Sequence, residues 1–343
     1  MIFILRPGAS PQDRSRLITS IEELGFRAVD VSEPGATAIA AIGGIPSAIS
    51  HLQSLPCVER TVSFGRPWRQ VGRSNRREDT IVYINKTPVG AEHFIVIAGP
   101  CAVENETQLK TIAQNVKDAG AAVLRGGAFK PRTSPYSFQG LGLDGLKLLR
   151  NTADELDLAV VTEALDPRQV ETVARYADAI QIGSRSSQNF PLLVEAGRSG
   201  KPVLLKRGMA QTLKELLLSA EYILNAGGAG VILCERGVRN FDTEARNLLD
   251  INAVPALQSM THLPVIVDPS HATGRSEFVA SAAKAAVAAG SNGLMIEVHH
   301  DPCSAASDGR QALVPAEFVN LMEKVERILE IEGKTLSAPV RRP

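Results

Sequence analysis

Residues 93–100, HFIVIAGP, are the first of eight apolar runs that decide the fold of this chain. The other seven have the same character: AVLRGG (122–127), LAVVTEA (158–164), AIQIGS (179–184), PVLLKRG (202–208), GVILCERG (230–237), PVIVDPSH (264–271) and GLMIEVHH (293–300). The runs are continuous rather than alternating, as parallel strands covered on both faces require. A helical stretch follows each run. Eight such units over residues 80–335 predict an α/β fold, a closed (β/α)8 TIM barrel.

A doubly wound open sheet is the alternative fold for the same pattern. Such a sheet normally has a Gly-rich phosphate-binding turn after its first strand. The segment that follows the first run, GPCAVEN (99–105), does not fit G-x-G-x-x-G. The closed barrel is therefore the favoured architecture.

Residues 1–65 precede the barrel and predict a separate small domain. Their patterns give the order strand, helix, strand, strand, helix, strand, which is typical of a ferredoxin-like βαββαβ domain. Pro34-Gly35 is predicted as the turn between the second and third strands. Nothing in this region looks catalytic, so its role is either regulation or assembly, or that of a plain structural appendage.

Two further segments are predicted to be irregular. Residues 66–79 are rich in arginine and lack apolar periodicity, which favours a linker. Residues 336–343 are predicted to be a flexible tail.

Composition limits the class of protein. The 343 residues include 37 basic and 37 acidic side chains, so the formal net charge is zero. This balance argues against nucleic acid or an anionic membrane as the main partner. No apolar run approaches membrane-spanning length, and the N-terminus does not resemble a signal peptide. The four cysteines show no C-x-x-C pairing, so we expect a reduced, cytoplasmic protein.

Almost every predicted barrel strand ends in a charged or metal-competent side chain. In chain order these are Cys101, Arg125 with Lys130 and Arg132, Glu163, Ser184 with Arg185, Lys206 with Arg207, Glu235 with Arg236, Asp268 with His271, and Glu297 with His299 and His300. The carboxyl ends of barrel strands meet at one rim, where active sites lie. So many cations on one rim of a neutral protein would repel each other unless an anion were bound. The pattern predicts a ligand with several negative groups.

Four of the rim residues predict a metal site. Cys101, His271, Glu297 and Asp308 belong to strands one, seven and eight or to the loop after strand eight, which are neighbours in a closed barrel. This donor set suits Mn, Fe, Co or Zn rather than Mg or Ca. His299 and His300 remain alternative ligands at this point.

The segment GGAFKPRTSPYSFQGLG (126–142) is long for a β-α loop. It offers Lys130, Arg132, Thr133 and Ser134 as donors, and Pro131 restricts their backbone. We therefore interpret it as a substrate-binding loop.

Taken together, these segments resemble the 3-deoxy-D-arabino-heptulosonate 7-phosphate (DAHP) synthase family, in the branch with an N-terminal ferredoxin-like regulatory domain. The resemblance rests on AGPCAVE (98–104), LRGGAFKPRTSPYSFQG (124–140), IGSRSSQN (182–189), LLKRGM (204–209), LCERG (233–237), DPSHATG (268–274), MIEVHHDP (295–302) and SDGRQAL (307–313). It covers essentially the whole chain, although the N-terminal match is looser.

The resemblance implies a function. Family members condense phosphoenolpyruvate with erythrose 4-phosphate, the first step of the shikimate pathway toward chorismate and the aromatic amino acids. By motif, one divalent metal ion would be held by Cys101, His271, Glu297 and Asp308. Phosphoenolpyruvate would be bound by Arg125, Lys130, Arg185, Lys206 and Arg236, and the aldose phosphate by Arg132 and Thr133. Ser184 would be a further substrate-binding residue. Lys130 as proton donor and Glu163 as the residue that positions water are hypotheses.

Two further expectations follow from the resemblance. An aromatic amino acid, tyrosine or phenylalanine, is expected to bind the N-terminal domain and block access to the barrel mouth. A homotetramer is expected. The rival functions are 3-deoxy-D-manno-octulosonate 8-phosphate synthase, which uses arabinose 5-phosphate, and a non-catalytic metabolite-sensing barrel. The Lys-Pro-Arg-Thr-Ser segment and the N-terminal extension favour the four-carbon sugar.

Overall fold

The computed structural model describes residues 1–32, 36–43, 46–62 and 67–338, without the side chains of residues 46 and 47. The chain divides into two compact units, Met1–Pro67 and Trp68–Pro343. The predicted turn at Pro34-Gly35 and the last residues of the predicted tail, 339–343, lie outside the described ranges.

The N-terminal unit is a four-stranded antiparallel sheet with helices on the connections. Its elements are β1 (Ile2–Leu5), α1 (Pro11–Glu23), β2 (Arg27–Asp30), β3 (Ala38–Ile42), a 3₁₀ helix (Pro46–Ser54) and β4 (Val58–Val62). The strand order is β2-β3-β1-β4. Helix α1 begins with a capping box between Ser10 and Asp13 and buries Leu17 and Ile21. The predicted order of elements is present, with a 3₁₀ helix in the second helical position.

The second unit begins with a short hairpin of β5 (Val82–Ile84) and β6 (Thr87–Val89). Eight parallel strands follow: β7 (His93–Gly99), β8 (Val123–Arg125), β9 (Ala159–Glu163), β10 (Ala179–Ile182), β11 (Val203–Lys206), β12 (Val231–Glu235), β13 (Val265–Val267) and β14 (Gly293–Glu297). Each strand pairs with the next, and β14 pairs in parallel with β7, which closes the sheet. The predicted eight-stranded barrel is confirmed, and the open sheet is excluded.

Helices connect the strands on the outside. They are α2 (Glu106–Asp118), α3 (Leu143–Glu155), α4 (Val170–Tyr176), α5 (Phe190–Arg198), α6 (Leu213–Asn225), α7 (Ala253–Met260), α8 (Pro269–Thr273), α9 (Ser276–Ala288) and α10 (Pro315–Glu332). Short 3₁₀ helices lie at Pro167–Gln169, Ser184–Ser186, Pro302–Ser304 and Gly309–Gln311. No helix within the described ranges is long and apolar enough to cross a membrane.

The barrel strands bury both faces, which explains their continuous apolar runs. On β7, Phe94 and Val96 belong to the cluster that packs against the helices, whereas Ile95 and Ile97 belong to a second cluster with Leu204 and other residues from alternate strand positions. This second cluster fills the barrel interior. Hairpin residues Val82, Ile84 and Val89 join the same cluster.

The segment predicted as a linker is packed against the second unit over part of its length. Trp68 and Val71 are buried in the outer core cluster. Glu221 of α6 accepts hydrogen bonds from the backbone N–H groups of Arg69, Gln70 and Val71 at 2.9 to 3.0 Å. A solvated connector would show neither feature.

The beginning of the predicted tail is also ordered. Strand β15 (Thr335–Leu336) pairs with His93 and Phe94 of β7. The Ser337 N–H then donates to the Phe94 carbonyl at 2.8 Å.

Candidate active site

A cavity of about 260 Å³ opens at the carboxyl ends of the barrel strands. Eleven predicted site residues line it: Arg125, Lys130, Arg132, Thr133, Glu163, Ser184, Arg185, Lys206, Arg236, His271 and Asp308. The other two, Cys101 and Glu297, are buried beside it, with 4% and 0% of their surface exposed. The strand-end residues therefore surround one space.

The four predicted metal ligands form one cluster. The ligand atoms of Cys101, His271, Glu297 and Asp308 all lie within 4.8 Å of one another. His271 Nε2 lies 3.1 Å from Glu297 Oε1, and the Cys101 thiol donates to Asp308 Oδ2 at 3.2 Å. One thiol, one imidazole and two carboxylates at this spacing can hold a divalent ion.

Asp268 orients the imidazole of this cluster. Its Oδ2 lies 2.7 Å from His271 Nδ1, and its Oδ1 accepts from the His271 backbone N–H at 2.9 Å. Lys206 Nζ contacts the same carboxylate. Because Nδ1 is engaged, Nε2 is the nitrogen that faces Glu297 and is available to a metal.

The pKa values in the cluster follow from burial and charge. Burial raises the pKa of the Cys101 thiol to about 12, with a further contribution from Glu297. Burial lowers the pKa of His271, so its imidazole is neutral at pH 7. Burial alone would raise the pKa of Asp308, but His271 and Arg246 outweigh it and bring that pKa down to about 2.

Two cations connect the cluster to the cavity. Lys130 Nζ donates to the Cys101 carbonyl at 2.9 Å and lies 3.0 Å from its Sγ. Arg125 Nη1 donates to Glu297 Oε1 at 2.5 Å. Both side chains are buried, so their positions are set before any ligand arrives.

Arg236 differs from the other buried cations of the cavity. It is 4% exposed, yet it donates only to the carbonyl oxygens of Gly237 and His271, at 3.2 and 3.1 Å. No carboxylate within the described ranges forms an ion pair with it. Burial lowers its pKa. A buried guanidinium without a carboxylate partner is a strong site for an anion.

Two strand-end residues do not face the cavity. Arg207 Nη1 pairs with Glu235 Oε2 at 2.8 Å and with Asp250 Oδ2 at 3.0 Å. Glu235 also accepts from the Gly237 N–H at 2.6 Å. These contacts make Arg207 and Glu235 a structural pair that holds the loop after β12.

Glu163 lies at the floor of the cavity and is 9% exposed. Gln181 Nε2 donates to its Oε2 at 3.3 Å. Gly183 packs so closely that a Cβ atom on it would lie 1.9 Å from Glu163 Oε1. The carboxylate therefore depends on a glycine for its position.

The predicted substrate loop forms one wall. Arg132 Nη1 donates to Ser307 Oγ at 2.5 Å. Thr133 and Ser134 are exposed and line the cavity. The loop thus reaches across to the segment that carries Asp308.

His299 and His300 do not join the metal cluster. Among the described residues the cluster contains only the four predicted ligands. The two rings stack on each other with centroids 4.9 Å apart, and His299 Nε2 lies 3.7 Å from Glu104 Oε1. Neither histidine therefore belongs to the described group that could hold a metal ion.

Comparison with known proteins identifies the family of this chain. The sequence profile of the DAHP synthetase I family matches residues 79–331. The chain belongs to this family. A phospho-2-dehydro-3-deoxyheptonate aldolase from Thermotoga maritima is 44% identical over 334 residues, which is 97% of this chain and 99% of the relative.

The family likeness extends to solved structures. A crystal structure of the Thermotoga maritima DAHP synthase superposes with a TM-score of 0.85 at 43% identity, and covers 98% of both chains. A truncated form of 3-deoxy-D-arabino-heptulosonate 7-phosphate synthase from Thermotoga maritima covers 78% of this chain with a TM-score of 0.73. A 2-dehydro-3-deoxyphosphooctonate aldolase from Syntrophobacter fumaroxidans is 30% identical over 73% of this chain.

Three residues in or beside the cavity were not predicted from the sequence as site residues. Gln181 and Arg246 line the cavity, and Ser307 contacts both Arg132 and Cys101. Gln181 sits within an apolar strand and gives no distinct signal. Arg246 belongs to the segment between β12 and α7, which spans residues 236–252. That β-α connection is unusually long, and its length could have indicated a functional loop.

Proposed function

We infer that this protein is a 3-deoxy-7-phosphoheptulonate synthase, a transferase that condenses phosphoenolpyruvate with erythrose 4-phosphate to give DAHP and phosphate. The observation that carries this inference is one cavity that borders the four-residue cluster, through His271 and Asp308, and is also lined by Arg236, which forms no ion pair with a described carboxylate. Membership of the DAHP synthetase I family supports it. The pathway is that of aromatic amino acid biosynthesis.

The cluster of Cys101, His271, Glu297 and Asp308 fits a divalent ion. Its donor atoms lie within 4.8 Å of one another, and Asp268 holds His271 so that Nε2 faces them. The mixed sulfur, nitrogen and oxygen set favours Mn, Fe, Co or Zn. When bound, the ion supplies Lewis acidity toward the aldehyde oxygen of the aldose.

The cationic residues bind phosphoenolpyruvate. Arg236 and Lys206 are buried on the side of β11 to β13, while Arg125 and Lys130 lie beside the cluster. Ser184 and Arg185 complete the wall after β10. The phosphate and carboxylate of the substrate would pair with these cations, and for Arg236 they would supply the anionic partner that the two carbonyl oxygens do not.

The loop with Arg132 and Thr133 binds the aldose phosphate. C3 of phosphoenolpyruvate attacks the aldehyde carbon, and the aldehyde oxygen takes up a proton. Lys130 is the donor that the geometry favours, since its Nζ lies 3.0 Å from a cluster ligand. Burial lowers the pKa of Lys130, but the carboxylates of Glu297 and Glu163, together with the neighbouring Cys101, outweigh burial and raise that pKa, so Lys130 is protonated at pH 7.

Water then adds to C2, and the cleavage of the bond between C2 and the phosphate oxygen releases phosphate. Glu163 lines the cavity and would orient this water. The cations around it stabilise the leaving phosphate.

The proposed domain limits are 1–65 for the N-terminal domain, 66–79 for a connector, 80–335 for the barrel and 336–343 for a tail. The N-terminal domain is proposed to be a ferredoxin-like regulatory domain. Its antiparallel strand order β2-β3-β1-β4 is compatible with that fold. Tyrosine or phenylalanine would be its effector and would lower activity by feedback. A homotetramer is proposed as the assembly.

Steady-state turnover tests the function. Phosphate release would be measured with erythrose 4-phosphate and, side by side, with arabinose 5-phosphate. The measurement would be repeated with chelator, after addition of each of the four metals, and with each aromatic amino acid. Turnover that prefers arabinose 5-phosphate, or that survives complete chelation, would contradict the proposal.

A further inference from the structure

Two arginines from different loops converge on the dipeptide Ser307–Asp308. Arg132, after β8, donates from Nη1 to Ser307 Oγ at 2.5 Å. Arg246, after β12, places Nη1 at 3.4 Å from Asp308 Oδ1. Since Ser307 and Asp308 are consecutive, both guanidinium groups contact one short segment, and Arg132, Arg246 and Asp308 line the same cavity.

The backbone around Arg246 is fixed. Its N–H donates to the Thr273 carbonyl at 2.9 Å, and the Asn247 N–H donates to the Ala272 carbonyl at 2.8 Å. Gly274 permits this approach, because a Cβ atom there would lie 2.6 Å from Arg246 Cβ. Arg246 is thus attached to the helix that carries His271.

One edge of the Arg246 guanidinium is available. Nη1 serves both Asp308 Oδ1 and Gln311 Oε1, the latter at 3.2 Å. Nε and Nη2 have no hydrogen-bond partner within the part of the chain that the structure describes. The side chain is 39% exposed and lines the cavity. An arginine can bind a phosphate through two parallel N–H donors.

The cations of the cavity form two layers. Lys206 and Arg236 are almost fully buried, whereas Arg132 and Arg246 lie farther out, on the side of the metal cluster. The aldehyde of the aldose must reach that cluster, and its phosphate is at the other end of a four-carbon chain. The phosphate would therefore lie away from the cluster, beside the outer cations Arg132 and Arg246.

We propose that Arg246 binds the phosphate of the aldose opposite Arg132, so that the two residues form a clamp. The clamp determines the preference for a phosphorylated aldose, and phosphoenolpyruvate binds below it. This inference rests on the proposed function. Arg246 belongs to a second loop, separate from the Lys-Pro-Arg-Thr loop, and it also contacts Asp308, one of the four proposed metal ligands.

Two variants test the clamp. Arg246→Met removes the donors with similar length, and Arg246→Lys keeps the charge without the two-donor edge. Arg310→Met is the matched control, because Arg310 is exposed, lies two residues after Asp308 and does not line the cavity. KM and kcat would be measured for both substrates at saturating Mn²⁺. Mn²⁺ affinity would be measured separately by electron paramagnetic resonance, and erythritol 4-phosphate binding by calorimetry.

We expect Arg246→Met to raise KM for erythrose 4-phosphate about 10- to 100-fold, the range of lost charge-assisted hydrogen bonds. KM for phosphoenolpyruvate should change less than about threefold, and erythritol 4-phosphate should bind correspondingly more weakly, while Arg246→Lys is intermediate. An unchanged KM for the aldose, with weakened Mn²⁺ binding, would assign Arg246 to Asp308 alone and overturn the clamp. An equal rise in both KM values would overturn it too. If the unaltered protein does not turn over erythrose 4-phosphate at all, the proposed function fails instead.

Discussion

Gly183 and Glu163 are in direct packing contact at the floor of the cavity, where a Cβ atom on Gly183 would lie 1.9 Å from Glu163 Oε1. Gly183 has φ of −73°, which any residue can adopt. The glycine is therefore required by the carboxylate next to it and not by its backbone conformation.

Gly183→Ala should lower kcat about tenfold or more while changing stability little. The added methyl group forces the Glu163 carboxylate away, and this is the mobile end of a flexible side chain, so the barrel itself need not shift. Thermal unfolding and steady-state kinetics would measure the two effects. The double variant with Glu163→Ala should be no slower than Glu163→Ala alone. An additive loss would show that Gly183 acts through some other contact.

Lys130→Met should abolish turnover and leave metal binding intact. The substitution keeps the length of the side chain but removes the protonated group beside Cys101. Loss of a general acid lowers kcat about 10²- to 10⁴-fold. Mn²⁺ affinity, measured by electron paramagnetic resonance, should change less than about threefold. Lys147→Met, at a half-exposed position on α3, is the control. A near-normal rate would remove Lys130 as the proton donor.

Metal binding at pH 7 should release about one proton per site. Burial raises the pKa of Cys101 to about 12, so the thiol is protonated and must lose its proton to become a ligand. His271 is neutral because burial lowers its pKa, and the pKa of Asp308 is about 2, so neither contributes. The metal affinity should therefore rise with pH, about tenfold per unit.

Calorimetry in buffers of different ionisation enthalpy would count the released protons. Cys101→Ala should bind metal more weakly and release none. A count near zero in the unaltered protein would mean that Lys130, 3.0 Å from Sγ, already holds the cysteine as a thiolate.

Much of this molecule could be predicted from its sequence. The eight continuous runs identified the barrel, because a strand buried on both faces cannot alternate. The ends of those runs identified the cavity, since parallel strands bring their carboxyl ends together. The four residues that could hold a metal ion were predicted from the donor types on neighbouring strands, and the structure brings them within 4.8 Å of one another.

Other features depended on contacts between distant residues. The pairing of Arg207 with Glu235 and Asp250 removes two charged residues from the cavity, and only the fold brings Asp250 into reach. Arg246 enters the site because Gly274, far along the chain, makes room for it. The burial of Trp68 was hidden by the polar, arginine-rich composition around it.

The burial of Trp68 predicts where the chain can be cut to remove the N-terminal unit. A chain that begins at Trp68 should keep its catalytic activity and lose inhibition by tyrosine or phenylalanine. A chain that begins at Thr80 lacks Trp68 and Val71, which are buried in the outer core cluster, and leaves Glu221 without its three backbone donors. Exposing the core at two large apolar positions costs several kcal/mol, on the order of 2 to 5 for each. The shorter chain should therefore unfold at a clearly lower temperature.

Thermal unfolding of the two truncated proteins and of the full chain would measure this difference, with DAHP formation assayed with and without each amino acid. Glu221→Ala in the longer truncated protein isolates the contribution of the three hydrogen bonds and should lower the unfolding temperature by less than the loss of residues 68–79. Equal unfolding temperatures for the two truncations would mean that residues 68–79 add nothing to the barrel. Inhibition that persists in both would place the effector site in the barrel unit.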